Sequence, residues 1–444
     1  MSAPGPSPSP AMHPRWRLAV ELAAYNLLLA ALLPAMAGWL LWRFLARRRG
    51  LGRWDHRLGF VPRLPAGGPR VWVHAVSAGE VAAARPVLRA LQAALPGARL
   101  ALSTITAAGM AVARQSCPEA EARFFLPFDL PLCTLRALGR VRPRLVVLAE
   151  KELWPNFLGL ARLCGARVLV VNGRVSERMM RRARWGEPLV HWLYRLPDHF
   201  CVQSPEDARR LRRLGVSAAR VTVAGNTKVD ALAHRDRPAE ERLARELGGG
   251  EGEVWLVGGS THAGEEDALL EAFAALRERL PAARLLLAPR HQERTAAVCA
   301  RVVERGFPVS RRSEGPPAGR PVVVLDTMGE LRAAYGLPGV AFVGGTLAPV
   351  GGHNLLEPVA AGRAVLFGPH TENCPDVADL VVEAGVGFRV EAGRDIAERF
   401  LWLAADPERS AEIGRRGAAL IARQRGAAAR CAEVALRLLG GGAA

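Results

Sequence analysis

The chain has 444 residues, half of them apolar, and a formal net charge of +18. This length exceeds what one ordinary core accommodates, so we expect two or three domains. The basic charge suggests nucleic acid, an anionic membrane or an anionic substrate as a partner. No zinc-finger, ribonucleoprotein or basic–aromatic pattern occurs, which argues against nucleic acid. The seven cysteines form no CxxC or Cys/His pattern, so no structural zinc is expected.

Arginine supplies nearly all of the positive charge, because lysine occurs only at positions 151 and 228. In a chain that uses arginine so widely, a lysine suggests a place where a compact ammonium group is needed. Chance survival of the two lysines is the alternative, and for Lys151 that alternative stays open.

An apolar segment from Leu18 to Trp42 has about the 20 residues needed to span a bilayer. Tryptophan lies at its ends and arginine follows it, at Trp16, Trp39, Trp42, Arg43, Arg47, Arg48, Arg49 and Arg53. The pattern predicts a membrane anchor over residues 1–50, separable from the catalytic fold, with the remaining chain on the cytoplasmic side. Polar residues and a proline interrupt the segment, so a monotopic helix is the alternative to a single span.

From residue 70 onward, strand-like apolar runs alternate with helical stretches, which is typical of mostly parallel, buried sheets. A charged, glycine-containing stretch interrupts this alternation, which then resumes. The pattern predicts two α/β domains facing a cleft. We expect a first domain over 51–230, a linker over 231–253, a second domain over 254–407, and a helical segment over 408–444 that can pack back on the first domain.

Charged side chains follow the predicted strands of the first domain. Glu80 stands where a helix begins after strand 70–76, Glu150 follows strand 144–149, and Lys228 lies in a turn before the linker. Active sites of open α/β folds lie at the carboxyl edge of the sheet, so we expect these groups to be functional. The alternatives are ordinary: a glutamate favours any helix start, and the Lys228 segment could be a simple turn.

The second domain has glycine-rich turns at Gly258–His262 and within 344–357, which could offer backbone N–H groups to a phosphate. Arg290 follows a strand and suits a phosphate or a carboxylate. Glu357 could bind ribose hydroxyls. Each signal is weak, because no complete dinucleotide fingerprint is present, but together they predict nucleotide recognition in this domain.

In chain order, these segments resemble motifs of the Kdo transferases, the 3-deoxy-D-manno-octulosonic acid transferases of lipopolysaccharide synthesis. The matching motifs are HAVSAGE, EKELWP, GNTKVD, GSTHAGEE, PRHQER, DTMGEL, FVGGTL, GGHNLLEP and FGPHTEN. The resemblance extends from the anchor to about residue 425. It implies a GT-B fold of two Rossmann-like domains plus the N-terminal membrane-anchor helix.

The resemblance also implies an activity and its setting. The reaction is an inverting, metal-independent transfer of Kdo from CMP-Kdo to a lipid A precursor, with no cofactor besides this donor substrate. The expected location is the cytoplasmic face of the bacterial inner membrane, beside anionic lipids and without nucleic acid.

The matching positions imply individual roles. Glu80 matches the general base, and Glu150 and Lys228 match residues that stabilise the transition state. The implied donor contacts are Pro289, Arg290, Met328, Gly329, Glu330, Asn354, Leu355, Leu356 and Glu357. The sequence departs from the family at three positions. Lys151 stands where the family usually has threonine, Thr227 replaces leucine, and Val229 replaces phenylalanine. These departures leave the local packing and the acceptor preference open.

Two other functions fit the same pattern. One is a GT-B enzyme that uses a UDP-sugar, and the other is a non-catalytic membrane adaptor, because a fold does not determine a function. Competition between CMP and UDP distinguishes the first, and the presence of Glu80 and Lys228 argues against the second. The number of Kdo residues added, the acyl form of the acceptor and the oligomeric state stay open.

Overall fold

The computed structural model describes residues 15–47, 53–150, 152–175, 179–181, 186–232, 236–248, 252–317 and 319–440, with backbone alone for 32–47 and 187. Its contacts divide the chain into two compact units. The first unit combines Met1–Ala231 with Gly426–Ala444, and the second is Leu232–Arg425. Each contains a parallel sheet covered by helices, so the predicted pair of α/β domains is confirmed.

The first unit contains a seven-stranded sheet in the order β3-β2-β1-β4-β5-β6-β7. Its strands are β1 Arg70–His74, β2 Arg99–Thr104, β3 Ala122–Phe125, β4 Leu145–Ala149, β5 Arg167–Gly173, β6 His199–Val202 and β7 Val221–Val223. The central strands are apolar on both faces, since helices cover both sides of the sheet. Trp72 of β1 lies opposite Ala101 of β2 and Val146 of β4.

Besides the helical residues 179–181, the described part of the first unit has nine α-helices before the second unit begins. They are α1 Arg15–Arg47, α2 Trp54–Arg57, α3 Ala78–Ala94, α4 Ala107–Ser116, α5 Pro131–Val141, α6 Pro155–Leu163, α7 Glu187–Arg195, α8 Pro205–Arg213 and α9 Thr227–Leu232, whose last residue already belongs to the second unit. Several begin at a proline, which suits the first turn because its missing N–H would have no intrahelical partner there.

The second unit has seven parallel strands in the order β10-β11-β9-β8-β12-β13-β14. They are β8 Val254–Thr261, β9 Ala283–Pro289, β10 Val309–Arg311, β11 Val322–Val324, β12 Gly339–Val343, β13 Val365–Phe367 and β14 Gly387–Arg389. The helices are α10 Arg237–Glu246, α11 Glu265–Arg279, α12 Thr295–Glu304, α13 Leu331–Ala334, α14 Leu356–Ala360, α15 Pro375–Glu383, α16 Gly393–Ala404 and α17 Pro407–Gln424.

The boundaries differ from those expected at two places. Most of the segment predicted as a linker, 231–253, belongs to the second unit, where α10 buries Leu243. The predicted C-terminal segment, 408–444, is divided between the units: α17 belongs to the second, and α18, Ala427–Gly440, packs on α3 in the first. The carboxylate of Asp230 accepts the N–H groups of Gly426 and Ala428, at 2.7 and 2.6 Å, and so holds the start of α18.

The N-terminal half of α1 is part of the first unit's core. Leu18 and Leu22 are 7% and 3% exposed and join the cluster under α6. Gly159 of α6 leaves room for Leu22, because a Cβ there would lie 2.6 Å from a Leu22 methyl group. Asn26 and Asn156 exchange two amide hydrogen bonds, at 2.7 and 2.9 Å. The expected independence of the anchor from the fold therefore does not hold for residues 15–26.

Within the described ranges, no helix combines the length and the apolar character needed to cross a bilayer. Several residues of the predicted anchor lie outside the described part of the chain. Only the backbone is described for Trp39, Trp42, Arg43 and Arg47, and Arg48 and Arg49 are not described at all.

Replacing Gly159 with alanine tests the docking of α1. The new methyl group would collide with Leu22, so Gly159→Ala is expected to lower the free energy of unfolding by about 1–3 kcal/mol. Gly139→Ala is the matched control, because no atom lies within 4 Å of its added Cβ in α5. The control should be neutral or stabilising by up to about 1 kcal/mol. Urea unfolding followed by circular dichroism measures both, and equal effects would contradict this packing.

Candidate functional site

In the first unit, the chain leaves β1 and β4, which are adjacent, toward opposite sides of the sheet. Such a switch point leaves a crevice outside the carboxyl ends of the two strands, where ligands bind in open α/β folds. Glu80 follows β1 and Glu150 follows β4, so the topology places both carboxylates at this switch point.

The Glu80 carboxylate is held by the turn that precedes it. Ser77 caps α3 by accepting the Glu80 N–H at 3.4 Å, and Glu80 Oε2 accepts the Val76 N–H at 2.8 Å. Burial raises the pKa of Glu80 to about 7, although the hydrogen bond from the Val76 N–H acts to lower it. The negative charges of Glu150 and Glu152 add to the increase. A fixed carboxylate with a pKa near neutrality suits a general base.

The fold brings Glu150 and Lys228 together. Lys228 Nζ lies 2.9 Å from Glu150 Oε1, and both groups remain partly accessible to solvent. Glu150 has a left-handed backbone, with φ of +64°, which an L-residue adopts only when its surroundings impose it. The pair therefore presents one ammonium group beside carboxylates at the sheet edge. Lys151, the other lysine, lies outside the described residues.

Asn172, at the end of β5, was missed in the sequence. Its backbone is also left-handed, with φ of +54°, and its side chain is buried. The amide Oδ1 accepts the N–H of Thr227 at 3.0 Å, and Nδ2 lies 3.5 Å from Glu150 Oε1. Asn172 thus links the Glu150 carboxylate to the start of helix α9, which carries Lys228, where the sequence had placed a turn. Asparagine tolerates this conformation at a strand end, but only the fold reveals its two partners.

Thr227, the first residue of α9, connects this helix to α3, the helix of Glu80. Its buried hydroxyl donates to the carbonyl oxygen of Ala83 in α3, at 2.8 Å. The usual leucine of the resembled family could not form this bond, so the departure noted in the sequence adds a polar link between α9 and α3.

In the second unit, Glu265 organises the loop after β12. Its buried carboxylate accepts four successive N–H groups, those of Gly345, Thr346, Leu347 and Ala348, at 2.8–3.1 Å. Oε2 also accepts the His262 N–H at 2.8 Å. The prediction that these glycine-rich turns offer their N–H groups to a phosphate is therefore wrong at these positions. Glu265 was not singled out, although it lies in the motif GSTHAGEE.

Gly258 and Gly259 serve the packing of β8 rather than a phosphate turn. A Cβ on Gly258 would lie 2.5 Å from Leu269, and one on Gly259 would lie 2.0 Å from the Tyr335 hydroxyl oxygen. Both glycines lie within the strand.

The predicted donor-binding residues occupy three loops at the carboxyl edge of this sheet. Pro289 ends β9, and the N–H of the exposed Arg290 donates to the Thr261 carbonyl at 3.0 Å. Met328 is 83% exposed and Gly329 has φ of +87°, so this turn can approach a ligand closely. The next residue, Glu330, is already bonded to Thr327 and Arg312.

The third loop holds the remaining predicted donor contacts. Leu355 and Leu356 bury their side chains, so only their backbone could face a ligand. Asn354 accepts the Leu356 N–H at 3.2 Å and donates to Glu357 at 3.1 Å. Burial raises the pKa of Glu357 above its usual range. Its expected contact with ribose stays a prediction.

Three histidines accompany these loops. His262 and His353 stack at 5.2 Å, with their Nε2 atoms 2.9 Å apart, and His291 lies 5.8 Å from His262. One ring must therefore donate from Nε2 while the other accepts there. Burial and the nearby Arg290 lower the pKa of His353 to about 4, so its ring is neutral at pH 7. Among the described residues, no group of histidine, cysteine and acidic side chains could hold a metal ion.

Comparison with known proteins gives consistent matches. A family model described as 3-deoxy-D-manno-octulosonic-acid transferase (kdotransferase) matches residues 52–231. A relative of that name from Bordetella pertussis is 36% identical over 426 residues, covering 91% of this chain and 96% of its own length. Another from Haemophilus influenzae is 31% identical over 386 residues, covering 86% and 90%.

A solved structure adds evidence on the fold. The putative UDP-N-acetylglucosamine 2-epimerase from Listeria monocytogenes has a TM-score of 0.59, with 15% identity, and covers 84% of this chain and 96% of its own. At that identity the likeness shows a common fold only, and it does not favour a UDP-sugar donor. The two relatives, in contrast, match throughout nearly their whole length. The chain belongs to the 3-deoxy-D-manno-octulosonic acid transferase family.

Proposed function

We propose that this glycosyltransferase moves Kdo from CMP-Kdo to a lipid A precursor of the lipid IVA type, with inversion, in lipopolysaccharide core synthesis. Membership of the transferase family supports the reaction class. The observation that carries the mechanism is the Glu80 carboxylate, which is fixed by the Val76 N–H and has a pKa near 7 at the switch point of the first sheet.

The proposed step is a single displacement. An acceptor hydroxyl loses its proton to Glu80 as its oxygen bonds to the anomeric carbon of Kdo, and the bond from that carbon to the CMP phosphate oxygen breaks. CMP leaves with the electron pair of the broken bond. Lys228 and Arg290 are the cations assigned to stabilise the developing charge, with no metal ion or cofactor in the proposed step.

We also assign α1 to monotopic attachment on the cytoplasmic face of the inner membrane. Its inner side carries Leu18 and Leu22, while Trp16, Val20, Leu27 and Leu28 on its outer side are 59–73% exposed. An exposed apolar face on a docked helix suits a position in the plane of the bilayer interface.

A transfer assay tests the proposed function. Incubation with CMP-Kdo and a tetra-acylated lipid A precursor should yield products heavier by one or more Kdo residues, as detected by mass spectrometry. Added CMP should inhibit the reaction and added UDP should not. Inhibition by UDP alone would favour the UDP-sugar alternative, and absence of product with active controls would contradict Kdo transfer.

The pH dependence tests the role of Glu80. Only the ionised carboxylate accepts a proton, and its raised pKa means that ionisation is completed above about pH 7. The value of kcat/KM should therefore rise about tenfold per pH unit below pH 7 and then level off. Glu80→Gln should lower turnover by roughly 10²–10⁴-fold and remove this rise. Glu121→Gln, which affects a surface pair with Arg99, is the control and should keep the wild-type profile.

Substitution of Asn172 tests whether its amide positions Glu150 and Lys228. Asn172→Gly keeps the left-handed backbone without strain and removes both side-chain bonds. We expect kcat to fall by about 10–100-fold, because small displacements at a reacting centre cost that much, while the KM for CMP-Kdo changes little. The control, Gln203→Ala, removes only a 3.0 Å bond to the Asn172 carbonyl. A wild-type kcat in the glycine variant would contradict the positioning role.

A further inference from the structure

A cavity of about 210 Å³ lies at the amino edge of the first unit's sheet, whereas Glu80 and Glu150 follow the carboxyl ends of its strands. Five parts of the fold form it: the start of α1, the residue before β4, the end of α6 with the turn into β5, the residue before β6, and the end of α18. None of the residues considered for donor or acceptor chemistry lines this cavity, which we call the amino-edge cavity.

The walls of the amino-edge cavity carry a large excess of positive charge. Arg15, Arg144, Arg162 and Arg167 line it, and Asp198 is the one acidic residue among its described lining residues. Asp198 Oδ1 lies 3.4 Å from Arg167 and 3.6 Å from Arg162. One carboxylate against four guanidinium groups leaves three formal positive charges.

Asp198 has little further capacity to balance these charges. Its Oδ2 already accepts the Val168 N–H at 2.8 Å. Arg220 lies behind it, donating to the backbone carbonyl of Asp198 at 3.2 Å, and burial together with the charge of Arg162 lowers the pKa of Arg220. Crowded guanidinium groups repel one another more strongly where water is partly excluded, so an anion in the cavity would be stabilised.

The excess charge continues along the sheet edge. Five of the seven strands have an arginine at their amino end. Arg70, Arg99 and Arg167 are the first residues of β1, β2 and β5, and Arg144 and Arg220 directly precede β4 and β7. Glu121, which pairs with Arg99, compensates part of this charge at the β2 side. Arg144 and Arg167, at the β4 and β5 end of this edge, also line the amino-edge cavity.

One wall of the cavity is apolar, formed by Leu18, Leu438 and Leu439. The adjoining start of α1 exposes Trp16, a residue type that prefers the interface between water and lipid. A small inorganic anion would use the arginines alone. A phosphodiester attached to acyl chains would use the arginines, the leucine wall and the exposed face of α1 together.

We propose that the amino-edge cavity binds the phosphate headgroup of an anionic phospholipid while the outer face of α1 lies among the acyl chains. This inference rests on the proposed monotopic attachment and adds a defined site and lipid selectivity to it. Phosphatidylglycerol carries a net negative charge that offsets the arginine excess. Phosphatidylcholine is neutral overall, so its ammonium group would be repelled by the same residues.

The test compares binding of the full chain to vesicles of phosphatidylcholine with and without phosphatidylglycerol, by co-sedimentation. The variant Arg15→Gln/Arg144→Gln removes two charges from exposed lining residues and leaves Arg162, which also donates to the Leu196 carbonyl, in place. The matched control, Arg114→Gln/Arg212→Gln, removes two exposed charges outside the cavity. Transfer to detergent-dispersed acceptor should be unchanged in both, which shows that they are folded.

We expect the cavity variant to lose about 10–30-fold in affinity for phosphatidylglycerol vesicles, and the control variant much less, on the order of threefold or below. Equal losses in both would show general charge attraction and overturn the site. Equal wild-type binding to both vesicle types would overturn the selectivity while leaving the attachment intact. If the wild-type protein binds neither vesicle type, both the membrane attachment and this inference are wrong. The proposed Kdo transfer is tested separately by the transfer assay.

A second experiment, with soluble anions, distinguishes binding of a lipid headgroup from binding of free phosphate. Inorganic phosphate and glycerol phosphate are titrated into the wild type and the cavity variant by calorimetry. Weak or undetectable heat from these soluble anions, together with tight binding to vesicles, supports a lipid headgroup as the ligand of the cavity. Tight binding of inorganic phosphate that depends on Arg15 and Arg144, without a vesicle effect in the variant, would assign the cavity to a soluble anion instead.

Discussion

The arrangement of charged groups in the first unit depends on one buried amide, that of Asn172. It approaches the Glu150 carboxylate from one side and accepts the Thr227 N–H on the other. Thr227 in turn bonds to Ala83 of the helix that begins beside Glu80. Direct hydrogen bonds thereby connect the ends of β4 and β5 to α9 and α3. The left-handed backbone at both Asn172 and Glu150 is the energetic cost of this arrangement, and the surrounding bonds sustain it.

The chain has 42 acidic residues against 60 lysine and arginine residues, and three of these carboxylates fix backbone N–H groups. Glu265 accepts N–H groups of the loop after β12. Asp129 accepts the N–H groups of Asn156 and Phe157, and Asp230 accepts N–H groups at the start of α18. A carboxylate that accepts several N–H groups orders a loop without secondary structure of its own. The loop after β12 is therefore ordered by bonds within the protein itself.

The sequence predicted the two parallel sheets because apolar strands alternate regularly with helices. It also singled out Glu80, Glu150 and Lys228 as candidate site residues, because each carries a charge near the end of a predicted strand, and their catalytic roles stay predictions. Asn172 and Glu265 could not be found in this way. Their partners lie 55 residues away, at Thr227, and 80–83 residues away, at 345–348, so their role exists only in the folded chain.

Two errors have a common cause, namely that one residue type serves several purposes. Glycine permits a phosphate to approach, but at Gly258 and Gly259 it makes room for Leu269 and Tyr335. The apolar residues of α1 suggested an anchor separable from the catalytic fold, but Leu18 and Leu22 on one side of the helix belong to the core of the first unit. Composition cannot separate these purposes, because the burial of apolar surface against lipid and against protein selects the same side chains.

The return of the chain to the first unit has a consequence for biosynthesis. Helix α18 buries Cys431, Ala432, Val434 and Ala435 in the core that also contains β4 and β5. The first unit therefore stays incomplete on the ribosome until α18 has emerged, whereas the second unit is the continuous stretch Leu232–Arg425 and can fold earlier. The usual order, in which N-terminal domains finish first during synthesis, is reversed here. A transcript truncated before codon 427 would yield a finished second unit and an open core in the first.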